Sequence, residues 1–275
     1  MANQQKPSIK HKTHRAHELL ETLKRLGGSA RNSQLADTMG VSEETIRRTV
    51  KKLSKEGLVS RVHGGVYLAE AQGAPSFHAR IGERAEEKRR MAHAVARIID
   101  DGASLFLDVG STTLFVAEAL RANSNLTIVT NSLSIAQTLM NHNQNRVFMA
   151  GGELNSSVGG TFGASARKFV AKFRADFAIL SADALDVEQG FLVADEREAE
   201  LAQTFVDHAR NSIMVADASK TQQVAPMVTC DPSEIDIFVT DTRPGRRFGA
   251  ALKEWNVEVV VASQKEAPGK KKKNK

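Results

Sequence analysis

The chain has 275 residues, 41% hydrophobic and 25% charged, which is material for two folding units with packed cores. Aromatic residues make up only 5%, too few for a base-stacking platform, and the single cysteine, Cys230, excludes an intramolecular disulfide or a multi-cysteine metal site. The net charge of +6 is unevenly spread: residues 1–68 carry 13 Lys/Arg against 6 Asp/Glu, residues 69–264 carry 19 against 25, and residues 265–275 carry 6 against 1.

A basic head on an acidic body predicts that the head alone meets a polyanion, because clustered Lys and Arg supply most of the sequence-independent attraction to phosphates. No apolar run approaches the ~20 residues that span a bilayer, and the polar, basic N-terminus lacks the apolar segment of a signal peptide. The expected location is the cytoplasm.

Residues 1–12 read as a basic flexible tail. Within residues 13–26, Ala16, Leu19, Leu20, Leu23 and Leu26 fall at helical spacing, and Gly27-Gly28 closes a first helix. Asn32 or Ser33 caps a second helix through Leu35, Ala36 and Met39, and Gly40 ends it. Ser42 then caps a third helix whose Ile46, Val50 and Leu53 face inward, while Thr45, Arg47, Arg48, Lys51 and Lys52 face out. A short helix, a glycine turn and a helix with a basic outer face form the arrangement that sets the second helix of the pair in the major groove. Residues 57–68 read as two short strands joined through Gly64-Gly65, a hairpin wing with Arg61 and His63 at its tip or edge. Ser42, Thr45, Arg47, Arg48, Lys51, Lys52, Arg61, His63, Gly64 and Gly65 are therefore the candidate contacts to double-stranded operator DNA.

The run Val41-Ser42-Glu43-Glu44-Thr45-Ile46-Arg47-Arg48, followed by Leu53, Gly57 and Arg61-Val62-His63-Gly64-Gly65, resembles the DeoR-type helix-turn-helix. One departure from that family's pattern is Thr49-Val50, where the family usually has Asp-Leu after the arginine pair.

Residues 69–88 read as a linker running into a helix that extends to about residue 99. Beyond Asp101-Gly102 the pattern alternates, with strands expected at 104–108, 126–130, 146–150, 177–180, 213–216, 235–239 and 257–261. Helices fit at 113–120, 132–140, 164–173, 195–209 and 246–255. Such alternation predicts a mostly parallel sheet covered by helices, with ligands at the carboxyl ends of the strands. Asp108-Val109-Gly110-Ser111-Thr112-Thr113 follows one strand and opens a helix, so backbone N–H groups and hydroxyls converge where an anion fits, and phosphate is the natural ligand. Thr130-Asn131, Gly151-Gly152, Asp183 and Lys220 mark the same rim after other strands, and Glu198 can reach sugar hydroxyls from the start of its helix. The candidate effector site is thus Asp108, Gly110, Ser111, Thr112, Thr113, Thr130, Asn131, Gly151, Gly152, Asp183, Glu198 and Lys220.

The phosphate loop, Thr130-Asn131-Ser132, Ala150-Gly151-Gly152-Glu153-Leu154 and Asp217-Ala218-Ser219-Lys220 resemble the sensor domain of DeoR-family repressors over residues 13–262. The resemblance implies a winged helix-turn-helix followed by an α/β Rossmann-like domain related to ribose-5-phosphate isomerase. It also implies a phosphorylated sugar or polyol as effector and a homo-oligomer (dimer or tetramer); no cofactor is expected, and His11, His14 and His17, three apart near a ragged helix start with no acidic or cysteine partner, read as solvent-exposed rather than as a metal site. Residues 89–264 would form this effector and oligomerisation domain, and residues 265–275 a basic disordered tail. A sugar-phosphate isomerase fused to a DNA-binding head is the rival, but Ser181-Ala182-Asp183-Ala184-Leu185-Asp186 comes without the lysine and glycine run of those enzymes. A charge-only architectural protein would leave the phosphate loop without a role. The sequence thus predicts binding without turnover, in a repressor of a carbohydrate or polyol catabolic operon.

Overall fold

The computed structural model describes residues 9–62, 64–68 and 77–262. The basic segment 265–275, residues 1–8 and His63 lie outside the described residues.

The head comprises α1 (Ile9–Arg25), β1 (Ser29–Arg31), α2 (Asn32–Met39), α3 (Glu43–Lys55), β2 (Val59–Val62) and β3 (Gly65–Leu68). Leu19, Leu23, Leu35, Ile46 and Leu53 are essentially inaccessible and form its core. α1 begins at Ile9, so residues 9–12 extend the helix instead of forming the tail that apolar spacing alone suggested. Gly40, at φ 61°, adopts the left-handed conformation that stops α2, and the Ser42 hydroxyl accepts the Thr45 N–H at 3.3 Å to start α3. The N-cap of α2 is Arg31, without a side-chain hydrogen bond, and not Asn32 or Ser33. β1 escaped the sequence reading because three residues carry no alternation; it pairs antiparallel with β3 and makes a three-stranded wing.

The body opens with α4 (Phe77–Gly82) and α5 (Ala85–Ile98), so residues 77–88 are folded helix rather than linker. Phe77, 5% exposed, anchors α4 in a core shared with Met91 and Leu107. Then follow β4 (Ser104–Leu107), α6 (Ser111–Leu120), β5 (Thr127–Thr130), α7 (Leu133–Leu139), β6 (Arg146–Met149), β7 (Glu153–Asn155), β8 (Gly160–Phe162) and α8 (Ala164–Val170). The chain continues through β9 (Ala175–Ser181), β10 (Ala184–Asp186), β11 (Gly190–Val193), α9 (Glu196–Asp207), β12 (Ala209–Val215) and β13 (Met227–Val228). It closes with β14 (Ile237–Thr240), α10 (Arg246–Glu254) and β15 (Glu258–Val261). Seven strands form a parallel sheet in the order β15-β14-β12-β9-β4-β5-β6.

Successive residues of the sheet serve opposite faces, as the pleat requires: Leu105 and Leu107 pack towards Met91 and Val95, and Phe106 stacks on Phe205 at 5.2 Å between ring centroids. Cys230 is buried in the Phe106 layer. Two small antiparallel sheets, β7-β8 and β10-β11-β13, sit outside the main one. The chain builds outward from β4 to β5 and β6, then returns to the other side of β4 for β9. The strand order reverses between β4 and β9, and in open α/β sheets the crevice outside the carboxyl ends of such strands receives ligands.

Candidate functional site

The loops after β4 and β9 are tied together at that reversal. Asp108 Oδ2 accepts the Ser181 N–H at 2.8 Å and the Ser181 hydroxyl at 3.3 Å. Burial pushes the Asp108 carboxyl up to about 7, against the pull of the Ser181 hydrogen bonds. At Gly110 a Cβ would stand 2.3 Å from Ser181 Oγ, so glycine is what lets the two loops meet. Ser111 and Thr112 then open α6 with their N–H groups at its positive end.

Lys88 of α5 reaches this point. It is 4% exposed, and its Nζ donates to Ser111 Oγ at 3.0 Å and to the Arg80 carbonyl. Among the described residues no carboxylate pairs with it at ion-pair distance. Burial lowers its pKa to about 8, and the positive charge of Lys220 lowers it further than burial alone would. Lys88 at a helix N-terminus, with a second ammonium, Lys220, in the same cleft, makes a cradle for a multiply charged anion.

Around the cradle lies a cleft of about 750 Å³, lined among others by Arg80, Arg84, Gly110, Ser111, Thr112, Asp183, Glu198 and Lys220. Part of its lining is acidic. Asp183 accepts from Arg80 at 3.2 Å and from the Ala194 N–H at 3.0 Å. The Glu198 carboxyl is held well above the usual carboxylate range by burial first, then by the charges of Asp183 and Asp108. Arg84 closes the floor by pairing with Asp217 at 2.9 Å and Asp241 at 3.0 Å, two carboxylates only 2% exposed at the ends of β12 and β14. Arg84 itself has φ 51°, a left-handed conformation that a non-glycine residue holds only where its surroundings over-determine it.

The structure brings Gly110, Ser111, Thr112, Asp183, Glu198 and Lys220 to one cleft, with Asp108 beneath as a tie between loops. It leaves the other effector candidates outside. The Thr113 hydroxyl donates to the carbonyls of Asp108 and Gly110, and the Thr130 hydroxyl donates to the Leu107 carbonyl. Asn131 is buried against β8, donating to the Thr161 carbonyl. Gly151 and Gly152 are exposed beyond β6, where a Cβ at Gly152 would stand 2.6 Å from the Phe162 carbonyl oxygen. These polar strand ends answer local backbone needs. Lys88, Arg80 and Arg84 were missed because 69–88 read as linker; their regular spacing of four was the available signal.

On the head, Ser42, Arg47, Arg48, Lys51, Lys52 and Arg61 are exposed, and Thr45 is half-buried. Thr49, at the departure from the family pattern, turns its hydroxyl back to the Thr45 carbonyl at 2.9 Å and stays within the helix. Gly64 makes the wing turn at φ 73°. Gly65 instead faces the body: a Cβ there would stand 2.7 Å from both the Ala30 carbonyl oxygen and the Val224 side chain.

Two family descriptions match the chain: "DeoR-like helix-turn-helix domain" over residues 15–72 and "DeoR C terminal sensor domain" over residues 83–242. The glycerol-3-phosphate regulon repressor of Escherichia coli K12 is 36% identical over 90% of this chain and 98% of its own length. The transcriptional repressor CsqR of the same organism is 35% identical over 84% of this chain and 88% of its own. The regulator GlpR of Haloferax volcanii is 32% identical over 75% and 81%. Among solved structures, ribose 5-phosphate isomerase A from Methanocaldococcus jannaschii overlaps 50% of this chain and 55% of its own with a TM-score of 0.37 at 13% identity. The chain belongs to the DeoR family of DNA-binding transcriptional repressors, a regulator and not an enzyme.

Proposed function

We propose that the protein represses a carbohydrate or polyol catabolic operon in the cytoplasm, as a homo-oligomer, and leaves its operator when a phosphorylated sugar or polyol occupies the cleft. One observation carries this reading: the buried Lys88, without a carboxylate partner among the described residues, sits at the N-terminus of α6 with Lys220 as a like-charged neighbour. A phosphate dianion supplies a countercharge in contact, where Asp217 and Glu83 act on Lys88 only from beyond ion-pair distance. The acidic part of the lining, Asp183 and Glu198, suits the hydroxyls of the same ligand, since carboxyl groups accept from them and a protonated Glu198 also donates. The names of the relatives, glycerol-3-phosphate regulon repressor among them, point to the same ligand class. On the head, Arg47, Arg48, Lys51 and Lys52 reach base edges and backbone from the major groove, with Arg61 and the Gly64 turn beside them.

Thermal unfolding against a panel of phosphorylated and unphosphorylated sugars and polyols tests the reading. At 100 times its Kd a ligand adds about 2.7 kcal/mol, which at this chain length raises the midpoint by roughly 5–10 °C. A shift confined to phosphorylated compounds is expected, and equal shifts with their unphosphorylated parents refute the phosphate cradle. Ser111→Glu places a carboxylate in the cradle, so the variant is expected to bind operator and ignore the effector; its normal release from DNA would put the phosphate elsewhere.

A further inference from the structure

The cleft is not built by the body alone. Part of the lining that it shares with Ser111, Lys88 and Lys220 comes from the head: Arg25 at the end of α1, the turn through Leu26 and Ser29, Gln34 of α2 and Tyr67 of β3. The head is held there by a compact joint. The Ser29 hydroxyl donates to Gln223 Oε1 at 2.6 Å, Gln223 Nε2 donates to the Leu26 carbonyl at 3.0 Å, and the Val224 N–H donates to Ser29 Oγ at 3.3 Å. Arg31 of β1 adds bonds to the Thr221 carbonyl at 3.1 Å and to Asp186 at 3.0 Å. Gly65 lies so close to Val224 that no side chain fits between them. Thr221, Gln223 and Val224 directly follow Lys220, so one short segment carries both a cation of the phosphate cradle and the seat of the head.

The head's part of the lining also has polar capacity left over. Gln34 Oε1 is shut off from solvent without a hydrogen-bond partner, an arrangement that costs free energy until something donates to it. The Nε–H of Arg80, another lining residue, is likewise enclosed without an acceptor. Gln34 and Arg80 both line the cleft, so a rotation of either side chain would bring its unpartnered atom to a hydroxyl-bearing ligand lodged there.

We propose that the DNA-binding head is part of the effector site: the ligand's phosphate rests in the body's cradle, and its hydroxyl-bearing end is bound by Gln34, with Arg25 and Tyr67 beside it. This rests on the sugar-phosphate reading and adds which residues sense the organic part of the ligand. The ligand thereby touches the module that grips DNA, and the domains are coupled through the ligand itself rather than only through the oligomer.

Calorimetry on the full chain with inorganic phosphate, glycerol 3-phosphate and glucose 6-phosphate tests this. Inorganic phosphate fills only the cradle, whereas the two esters extend beyond it. Gln34→Leu and Arg25→Gln are expected to weaken the tighter-binding ester by about tenfold, the loss of one buried or charge-assisted hydrogen bond, and to leave the Kd for inorganic phosphate unchanged. Tyr67→Phe, which keeps the wing packing, reports whether the phenol takes part. Lys88→Met is expected to weaken all three probes together. If head variants bind both esters as the unaltered chain does while Lys88→Met does not, the head contributes nothing and the proposal falls with the sugar-phosphate reading intact. If neither ester binds the unaltered chain more tightly than inorganic phosphate does, the sugar-phosphate reading fails and the proposal fails with it.

Discussion

On α3 of the head, exposed ion pairs join residues four apart, Arg47 with Glu43 and Lys52 with Glu56, whereas the body draws Arg84 to Asp217 and Asp241 across more than a hundred residues and buries both carboxylates. Charge on α3 is therefore loosely held and available to a partner, and it contributes little to folding. Charge in the body is structural, because a carboxylate taken out of water without its partner is costly. The same residue type thus has opposite consequences in the two regions.

The comparison is broken most directly at Arg84. Arg84→Met leaves Asp217 and Asp241 buried and unpaired, and a loss of about 3 kcal/mol in urea unfolding is expected, near the lower end for a broken buried pair because the arginine is partly exposed. A loss below about 0.5 kcal/mol, the range of ordinary surface substitutions, would make the body's pairs no different from the head's.

Arg47→Ala or Arg48→Ala is expected to cost about 1–3 kcal/mol in operator binding where the side chain reads a base edge, with stability changed by no more than about 0.5 kcal/mol. Gel shifts on the promoter fragment and parallel melts measure both. Undiminished operator affinity in both variants would move the reading surface away from α3.

Proton linkage sharpens the contrast, since Lys88 is lowered to about 8 by burial first and by Lys220 second. Below pH 8 Lys88 is charged before the effector arrives, so Lys88 adds no pH dependence there. Above pH 8 the free protein must take up a proton to meet a phosphate dianion, and affinity drops by up to about tenfold per pH unit, the limit for one proton. Calorimetry from pH 6.5 to 9.5 checks the slope, which Lys88→Met abolishes. A slope that persists in that variant would assign the proton to another group.

The smallest effect is in the head. Ser42→Ala removes the cap from α3 and is expected to lower stability by about 1 kcal/mol in a thermal or urea melt. No change would mean that the 3.3 Å bond to Thr45 N–H contributes nothing.

What could be read from the chain beforehand divides along the same line. The third helix was visible because Ser42, Ile46, Val50 and Leu53 state cap and face within a dozen residues, and each long strand of the sheet declares itself as a short apolar run. β1, β10 and β13 are two or three residues long and exist only through their partners, so no local pattern marks them. The turn at Gly110-Ser111-Thr112 was legible because strand, turn and helix are contiguous there. Lys88 was not, because its meaning depends on Ser111, 23 residues on, and on Lys220. Thr130 and Asn131 looked equally promising and proved to serve their own backbone neighbourhood.

Cys230 offers a practical consequence. Its thiol lies in the body core, 3% exposed, and burial followed by the nearby Glu234 and Asp231 carboxylates pushes it up to about 12. At neutral pH almost none of it is the thiolate that reacts with alkylating reagents. For site-directed spectroscopy the folded chain therefore behaves as if it had no cysteine: one dye-bearing cysteine engineered on α3 and another on the body can be labelled in the native background, and the distance between them followed as sugar phosphate is added.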